Sequence, residues 1–179
     1  MLISELFELY DKFEWDAGSS KSGSIIAYHG TPMKNVESII KNGFNKPNFY
    51  KPLTTGEQFG QGIYLADDPH DAGRFGGGLL KVQFTGRYKE LTYDELVDIS
   101  NTSKFQKHLV LTIGISDGDR TAAAALSSYF ILQKYEALHI LNAPQNLWVV
   151  YSPQSLKVLE KKTIWGWKKV KTFDLRKVK

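Results

Sequence analysis

Apolar and polar positions along the chain alternate between two periods, and each period predicts a different element. Leu2, Ile3, Leu6, Leu9 and Phe13 recur near 3.6 residues, which predicts an amphipathic helix over 2–13. Residues 16–23 (DAGSSKSG) are polar and glycine-punctuated, and read as a loop. A strand follows over 24–29 (SIIAYH). Thr31 and Pro32 then open a helix, with Thr31 as its N-cap and Pro32 at the first helical position. Val36, Ile39 and Ile40 form its apolar face and Gly43 its stop. Residues 44–61 are loop-rich. Strands are predicted at 62–66 and 79–85, with a short helix at 69–75 between them. The acidic stretch 88–100 reads as less regular, and 107–115 is apolar without a period that separates strand from helix. The alanine-rich segment 121–135 is the clearest helix after the first. Strands at 137–141 and 147–151 follow, and the last 22 residues read as a hairpin turning near Gly166. The pattern is that of a mixed α+β fold built from short strands.

Composition narrows the class. With 179 residues, 42% of them hydrophobic and 13% aromatic, the chain is expected to form one globular domain rather than a disordered segment. The sequence contains no cysteine, which removes disulfides and thiolate metal sites. Glu5, Glu8, Asp11, Glu14 and Asp16 break up any secretory leader, and no apolar run approaches the roughly 20 residues of a membrane span. The expected location is the cytoplasm, which an effector delivered by another route would share. Charge is uneven. Residues 157–179 hold nine lysines and arginines against Glu160 and Asp174, whereas the rest of the chain holds fourteen against seventeen. The lysines alternate with Val158, Ile164, Trp165, Val170 and Phe173, as on the solvated face of a sheet; the same balance suits an acidic partner.

Two segments carry candidate chemistry. In Tyr28-His29-Gly30-Thr31, an imidazole ends a strand where it can meet a ribose hydroxyl. Gly30 removes a side chain, so a planar carboxamide can reach the backbone N–H and C=O. In Phe59-Gly60-Gln61-Gly62-Ile63-Tyr64-Leu65-Ala66, a glycine-spaced turn feeds Tyr64 into a strand, and a second aromatic, Phe75, follows eleven residues later. Two such rings can stack on a heteroaromatic that becomes cationic. His70, His108 and His139 show no ligand spacing, so no metal site is expected. Asp117-Gly118-Asp119 reads as a turn, and Gly76-Gly77-Gly78 as a flexible turn rather than a phosphate cradle.

Taken in order, these motifs resemble the NAD-consuming ADP-ribosyltransferases, in the branch of the poly(ADP-ribose) polymerases and diphtheria toxin with its His-Tyr-Glu triad. The resemblance spans about residues 24–158 and is strongest over 28–75. It implies split antiparallel β-sheets with flanking helices and an NAD cleft between them. It implies three parts: an N-terminal helical extension (1–23), a catalytic domain (24–158) and a basic C-terminal hairpin extension (159–179). His29 would contact ribose hydroxyls, the Gly30 backbone would grip the nicotinamide amide, and Thr31 matches the hydroxyl residue after them. Tyr64 and Phe75 would sandwich the nicotinamide. Ala72 stands where many members of the family carry a serine that bonds the carboxamide.

The third motif departs from the family. Asn146-Leu147-Trp148-Val149-Val150-Tyr151 resembles its last catalytic strand, with Leu147 where the triad glutamate would be. Loss of that carboxylate argues against polymer synthesis and for mono-ADP-ribosyl transfer. Gln145 matches a position that chooses the acceptor, and Gln145 or Asn146 could take over the ribose contact. Glu57 and Glu136 are carboxylates that could activate an acceptor; Glu136, at a helix-to-strand junction, reads first as structural. The expected enzyme consumes NAD as substrate, needs no metal, and transfers ADP-ribose to a macromolecule, protein ahead of nucleic acid, releasing nicotinamide. Its size fits a stand-alone effector of bacterial or phage type. Two alternatives stand beside this reading: a catalytically silent NAD-pocket module, motivated by Leu147, and a nucleic-acid-directed transferase, motivated by the Lys-rich hairpin with Trp165 and Trp167. An RNA 2′-phosphotransferase is a remoter one, since that family's arginine motifs are not evident.

Overall fold

A computed structural model describes residues 18–47, 59–102, 105, 121–143 and 145–170. The predicted N-terminal helix and the ambiguous stretch 107–115 lie outside these residues, as do Glu57, His108 and the Asp117-Gly118-Asp119 turn. The elements are β1 (Ser19–Thr31), α1 (Met33–Asn42), β2 (Ile63–Ala66), α2 (Pro69–Gly73), β3 (Gly78–Thr92), α3 (Tyr93–Ser100), α4 (Thr121–Leu132), β4 (Ala137–Leu141), β5 (Leu147–Val150), β6 (Leu156–Thr163) and β7 (Gly166–Lys169). The fold is mixed α+β and dominated by strands.

Hydrogen bonds join all seven strands in the order β1-β2-β5-β4-β3-β6-β7, and a further β1–β3 ladder turns the first five into a ring. β3 makes this possible because it is long. One of its edges pairs with β1 from Ser19↔Glu90 to Thr31↔Gly78. The other edge is divided, with β6 on Leu80–Phe84 and β4, the one parallel neighbour, on Tyr88–Thr92. The ring is nearly open at one seam. β1 and β2 share a single register pair, Tyr28↔Ala66, although Ile63–Ala66 pairs along its whole length with β5.

Three apolar clusters fill the molecule. Phe84, Tyr88, Trp148, Leu65, Ala27 and Val150 pack within the strand ring. Leu138, Ile140, Leu147 and Val149 face the helical layer through Leu96, Ile99, Tyr129 and Phe130. Val36 of α1 closes over Leu80, Val82 and Val158. β4 and β5 are each buried on both faces, which explains their near-continuous apolar sequences, ALHIL and LWVV.

The structure corrects local expectations at three places. Residues 19–23 are strand rather than loop, because β3 supplies a backbone ladder for a segment whose side chains are solvated. Thr31 is the last residue of β1 and caps nothing; Pro32 is the N-cap, without a side-chain bond, and the helix begins at Met33. The stretch 88–100 is regular: β3 runs to Thr92 and α3 follows at once. Thr92 and Glu95 form a capping box, with the Glu95 N–H donating to the Thr92 hydroxyl at 3.2 Å and the Thr92 N–H to the Glu95 carboxylate at 2.7 Å. Gly43 does stop α1, donating its N–H to Ile39 at φ 79°.

Behind β5 lies a charged lock. The buried His139 ring stacks on Trp148, with centroids 3.9 Å apart and planes 10° from parallel. Its Nδ1 faces Glu90 at 3.0 Å and its Nε2 faces Asp67 at 3.2 Å. Trp148 donates its indole N–H to the same Asp67 carboxylate at 2.6 Å, and Lys21 pairs with Glu90. The His139 bond, above all, holds the Asp67 carboxyl below its ordinary value, with burial opposing and Trp148 adding to it. At Glu90 burial pushes upward, but bonds from Lys21 and His139 outweigh it. Both folded-state values are depressed, so their stabilisation is complete above the ordinary carboxylate range. It is lost as pH falls through the depressed values. Asp67→Asn is expected to cost about 1–3 kcal/mol at pH 7, since it leaves a buried partner poorly satisfied. The variant should also lose less stability than wild type between pH 6 and pH 3, which urea titrations across that range would measure.

Candidate active site

The seam between β1 and β2 opens into a cleft of about 490 Å³. From Tyr28 toward Gly30, the edge of β1 that faces β2 has no further register pair. His29 spans the gap instead: its Nδ1 donates to the Tyr64 carbonyl oxygen at 2.9 Å. A carbonyl can only accept, so Nδ1 carries the proton and Nε2 is left with a lone pair. Burial holds the His29 pKa below its ordinary value, with the Tyr64 bond opposing only in part. The imidazole is therefore neutral at pH 7. Phe44, just past the end of α1, meets its ring edge-on, with centroids 5.0 Å apart.

Tyr64 is fixed as firmly. Its hydroxyl donates to the Gly60 carbonyl at 2.6 Å and accepts the Phe59 N–H at 3.1 Å. The glycine-spaced turn thus clamps the phenol end and leaves the ring as the cleft wall. Gly60 adopts φ 93°, which a side chain would disfavour.

Gly30 is required for a reason the sequence did not disclose. A Cβ there would lie 1.7 Å from the Ala72 carbonyl oxygen and 3.3 Å from the Phe75 Cβ. Glycine lets α2 press its backbone onto β1, and this contact brings Ala72 and Phe75 to the mouth of the cleft. Asp68 secures α2 by accepting the His70 N–H at 2.6 Å. Phe75 is 49% exposed, so one face of its ring is open to a ligand.

Of the residues singled out from sequence, His29, Gly30, Tyr64, Ala72, Phe75 and Leu147 all line this one cleft. Thr31 and Gln145 are not on its wall. Thr31 is buried, and its hydroxyl faces the Asn35 amide at 3.4 Å. Gln145 is half-buried in the bend before β5. Asn146 accepts the Asn142 N–H at 3.3 Å and bonds Asp67. Glu136 is occupied by structure: its carboxylate accepts the Arg87 N–H at 2.8 Å and the Ser155 hydroxyl at 2.7 Å. Asn35, Ser38, Phe44 and Asn45 line the cleft and were not foreseen. Their signal was available, since Asn35 and Ser38 share one face of α1 and Phe44 follows its glycine stop. Among the described residues the wall bears no carboxylate, lysine or arginine. No group of three or more metal-ligating side chains occurs among them either.

A family model for the poly(ADP-ribose) polymerase (PARP) catalytic domain matches residues 2–78. That stretch contains His29, Gly30, Thr31, Tyr64, Ala72 and Phe75, while Gln145 and Leu147 fall beyond it. The match bears out the resemblance of this chain to the ADP-ribosyltransferase superfamily. Among solved structures, the chain is similar to an anti-CRISPR protein at 12% identity and a TM-score of 0.40, over 81% of this chain and 100% of that one. It is also similar to the MbcT–MbcA toxin–antitoxin complex of M. tuberculosis at 15% identity and a TM-score of 0.47, over 87% and 90% respectively.

The Gly30 contact yields a direct test. Gly30→Ala is expected to displace α2 and to cost about 1–3 kcal/mol, as overpacking does. Gly23→Ala, where an added Cβ meets nothing within 4 Å, should leave the urea midpoint nearly unchanged.

Proposed function

We propose that the protein is a mono-ADP-ribosyltransferase that binds NAD in the cleft at the β1–β2 seam. It would transfer ADP-ribose to a macromolecular acceptor, a protein in the first instance. The observation that carries the reading is the shared cleft, in which a neutral His29, the Gly30 backbone and the rings of Tyr64 and Phe75 meet Leu147.

Each group then has a task. The free lone pair on His29 Nε2 accepts a hydrogen bond from a ribose hydroxyl. The backbone of Gly30 pairs with the carboxamide, and Tyr64 and Phe75 hold the nicotinamide plane. Cleavage breaks the bond between the ribose C1′ and the ring nitrogen. The electron pair leaves with nicotinamide, which departs neutral, and C1′ passes through an oxocarbenium-like cation. An acceptor nucleophile attacks C1′ and gives up its proton. With Leu147 at the place of the triad glutamate and no carboxylate on the described wall, the acceptor supplies its own basic group or is deprotonated elsewhere. Most of the rate enhancement then comes from holding NAD in a reactive conformer and shielding the cation. The missing base forgoes the roughly 10²–10⁴-fold that such catalysis adds.

The test is label transfer from radiolabelled NAD in host lysate, followed by separate protease and nuclease digestions. Wild type should label a macromolecule that protease removes; His29→Ala and Tyr64→Ala should each lower the label at least tenfold while remaining folded. Absence of both label and released nicotinamide would sink the enzyme reading. The pH dependence is also set. His29 has a depressed folded-state pKa and works as the neutral form, so NAD affinity should hold below pH 6.5. It should fall only as pH drops through the lowered value, as calorimetric titration would show.

A further inference from the structure

The outer face of β1, β3, β6 and β7 has features that the cleft does not use. Cross-strand register places Tyr28, Lys81, Glu160 and Lys169 in one row on the same side of the sheet. The neighbouring pair Lys162↔Trp167 extends that side toward the hairpin turn, and Ile26, Gln83 and Lys157 extend it the other way. This face therefore carries four lysines and one glutamate, and the glutamate lies 3.8 Å from Lys81. Lys157, Lys162 and Lys169 are exposed. The rings of Tyr28 and Trp167 meet with centroids 5.6 Å apart, and the Lys162 ammonium stands 5.4 Å from the Trp167 centroid.

Beyond this row, the turn presents Ile164 at 91% and Trp165 at 92% exposure. The turn is braced, not slack. The Thr163 hydroxyl donates to the Gly166 carbonyl at 2.9 Å and accepts the Trp165 N–H at 3.3 Å. Two large apolar side chains held in solvent by a fixed turn, on a lysine-rich ribbon, are unfavourable surface unless something covers them. Tyr28 also lines the cleft, so the basic aromatic face and the cleft are continuous.

We propose that this face and its hairpin tip bind single-stranded nucleic acid beside the cleft. Aromatic rings on an open sheet face stack on unpaired bases, and lysines spaced around them neutralise the phosphates of the same strand. Duplex bases are stacked on one another and offer no such face. An acidic protein would satisfy the lysines but would leave Trp165 and Trp167 without a specific partner. The proposal concerns binding, which is read without NAD, so it stands or falls separately from the transfer chemistry.

The experiment is fluorescence anisotropy of the full chain with labelled 20-nucleotide oligo(dT), oligo(U), a matched DNA duplex and poly-glutamate, from 50 to 300 mM salt. Single strands should bind most tightly, with affinity falling steeply as salt rises. The DNA and RNA arms say which strand is preferred. Trp165→Ala should weaken single-strand binding roughly 5- to 150-fold, the range for loss of one stacked base. Lys162→Glu with Lys169→Glu should weaken it further and flatten the salt dependence. Circular dichroism and cleft affinity for NAD should be unchanged in both, since these residues lie outside the cleft. The proposal is overturned if wild type does not bind at 50 mM salt. It is equally overturned if duplex or poly-glutamate binds as well as single strands, or if folded Trp165→Ala binds like wild type.

Discussion

The fold turns on a seam that closes at one point and then stops. β1 and β2 meet at Tyr28↔Ala66, and one residue later the ladder is replaced by the bond from His29 Nδ1 to the Tyr64 carbonyl. A side chain that stands in for a strand-to-strand bond accomplishes two things together. It gives the Tyr64 carbonyl a hydrogen bond from across the seam, worth about 0.5–1.5 kcal/mol net. It also fixes which imidazole nitrogen holds the proton. The same contact sits at the cleft and sets the tautomer of the imidazole that lines it.

The remaining walls follow from how closely other parts can approach this seam. α2 reaches β1 only because Gly30 offers no Cβ to the Ala72 carbonyl, and Gly62 admits Val149 and Val150 of β5 in the same way. On the far face of β5, the stack of His139 on Trp148 and the Asp67 bridge fasten the strand whose neighbouring residue, Leu147, lines the cleft. Alternation along β5 therefore couples a structural lock on one face to the cleft wall on the other. A change at Asp67 reaches the cleft through one peptide unit of backbone.

Much of this was legible in the sequence, and what was missed has physical causes. His29, Gly30, Tyr64 and Phe75, singled out by residue type and spacing, line one cleft in the structure. Strand ends were harder. The polar segment Ser19–Gly23 has no apolar alternation, and only its pairing with Gly86–Glu90 makes it strand. A partner 60 residues away leaves no local trace. The helix after Thr92 is different, because Thr92 and Glu95 form a capping box that sequence could have disclosed. The acidic character of that stretch masked it. The lock at His139 was read only as a histidine without metal spacing; its partners Asp67 and Glu90 come from two other strands' ends, which no local pattern joins. At Gly30 the residue type signals a close backbone approach, but that α2 makes such an approach is visible only in the fold.

The absence of charge on the described cleft wall bears on the proposed transfer chemistry. On the proposed reading, an oxocarbenium-like cation beside the described wall would be stabilised by oriented dipoles and ring faces. Such stabilisation depends on rigid placement, because a dipole that can rotate away contributes little. The features that look excessive for a small domain serve that rigidity: two bonds on the Tyr64 hydroxyl, a tautomer set by a backbone carbonyl, and a helix pressed onto a strand without a side chain between them. They also tie the geometry of the cleft to global packing. A substitution that loosens the seam by a few tenths of an ångström acts on the cleft and on the strand ring at once. In this fold, stability and ligand affinity should therefore fall together for seam residues and separately for residues of the outer sheet face.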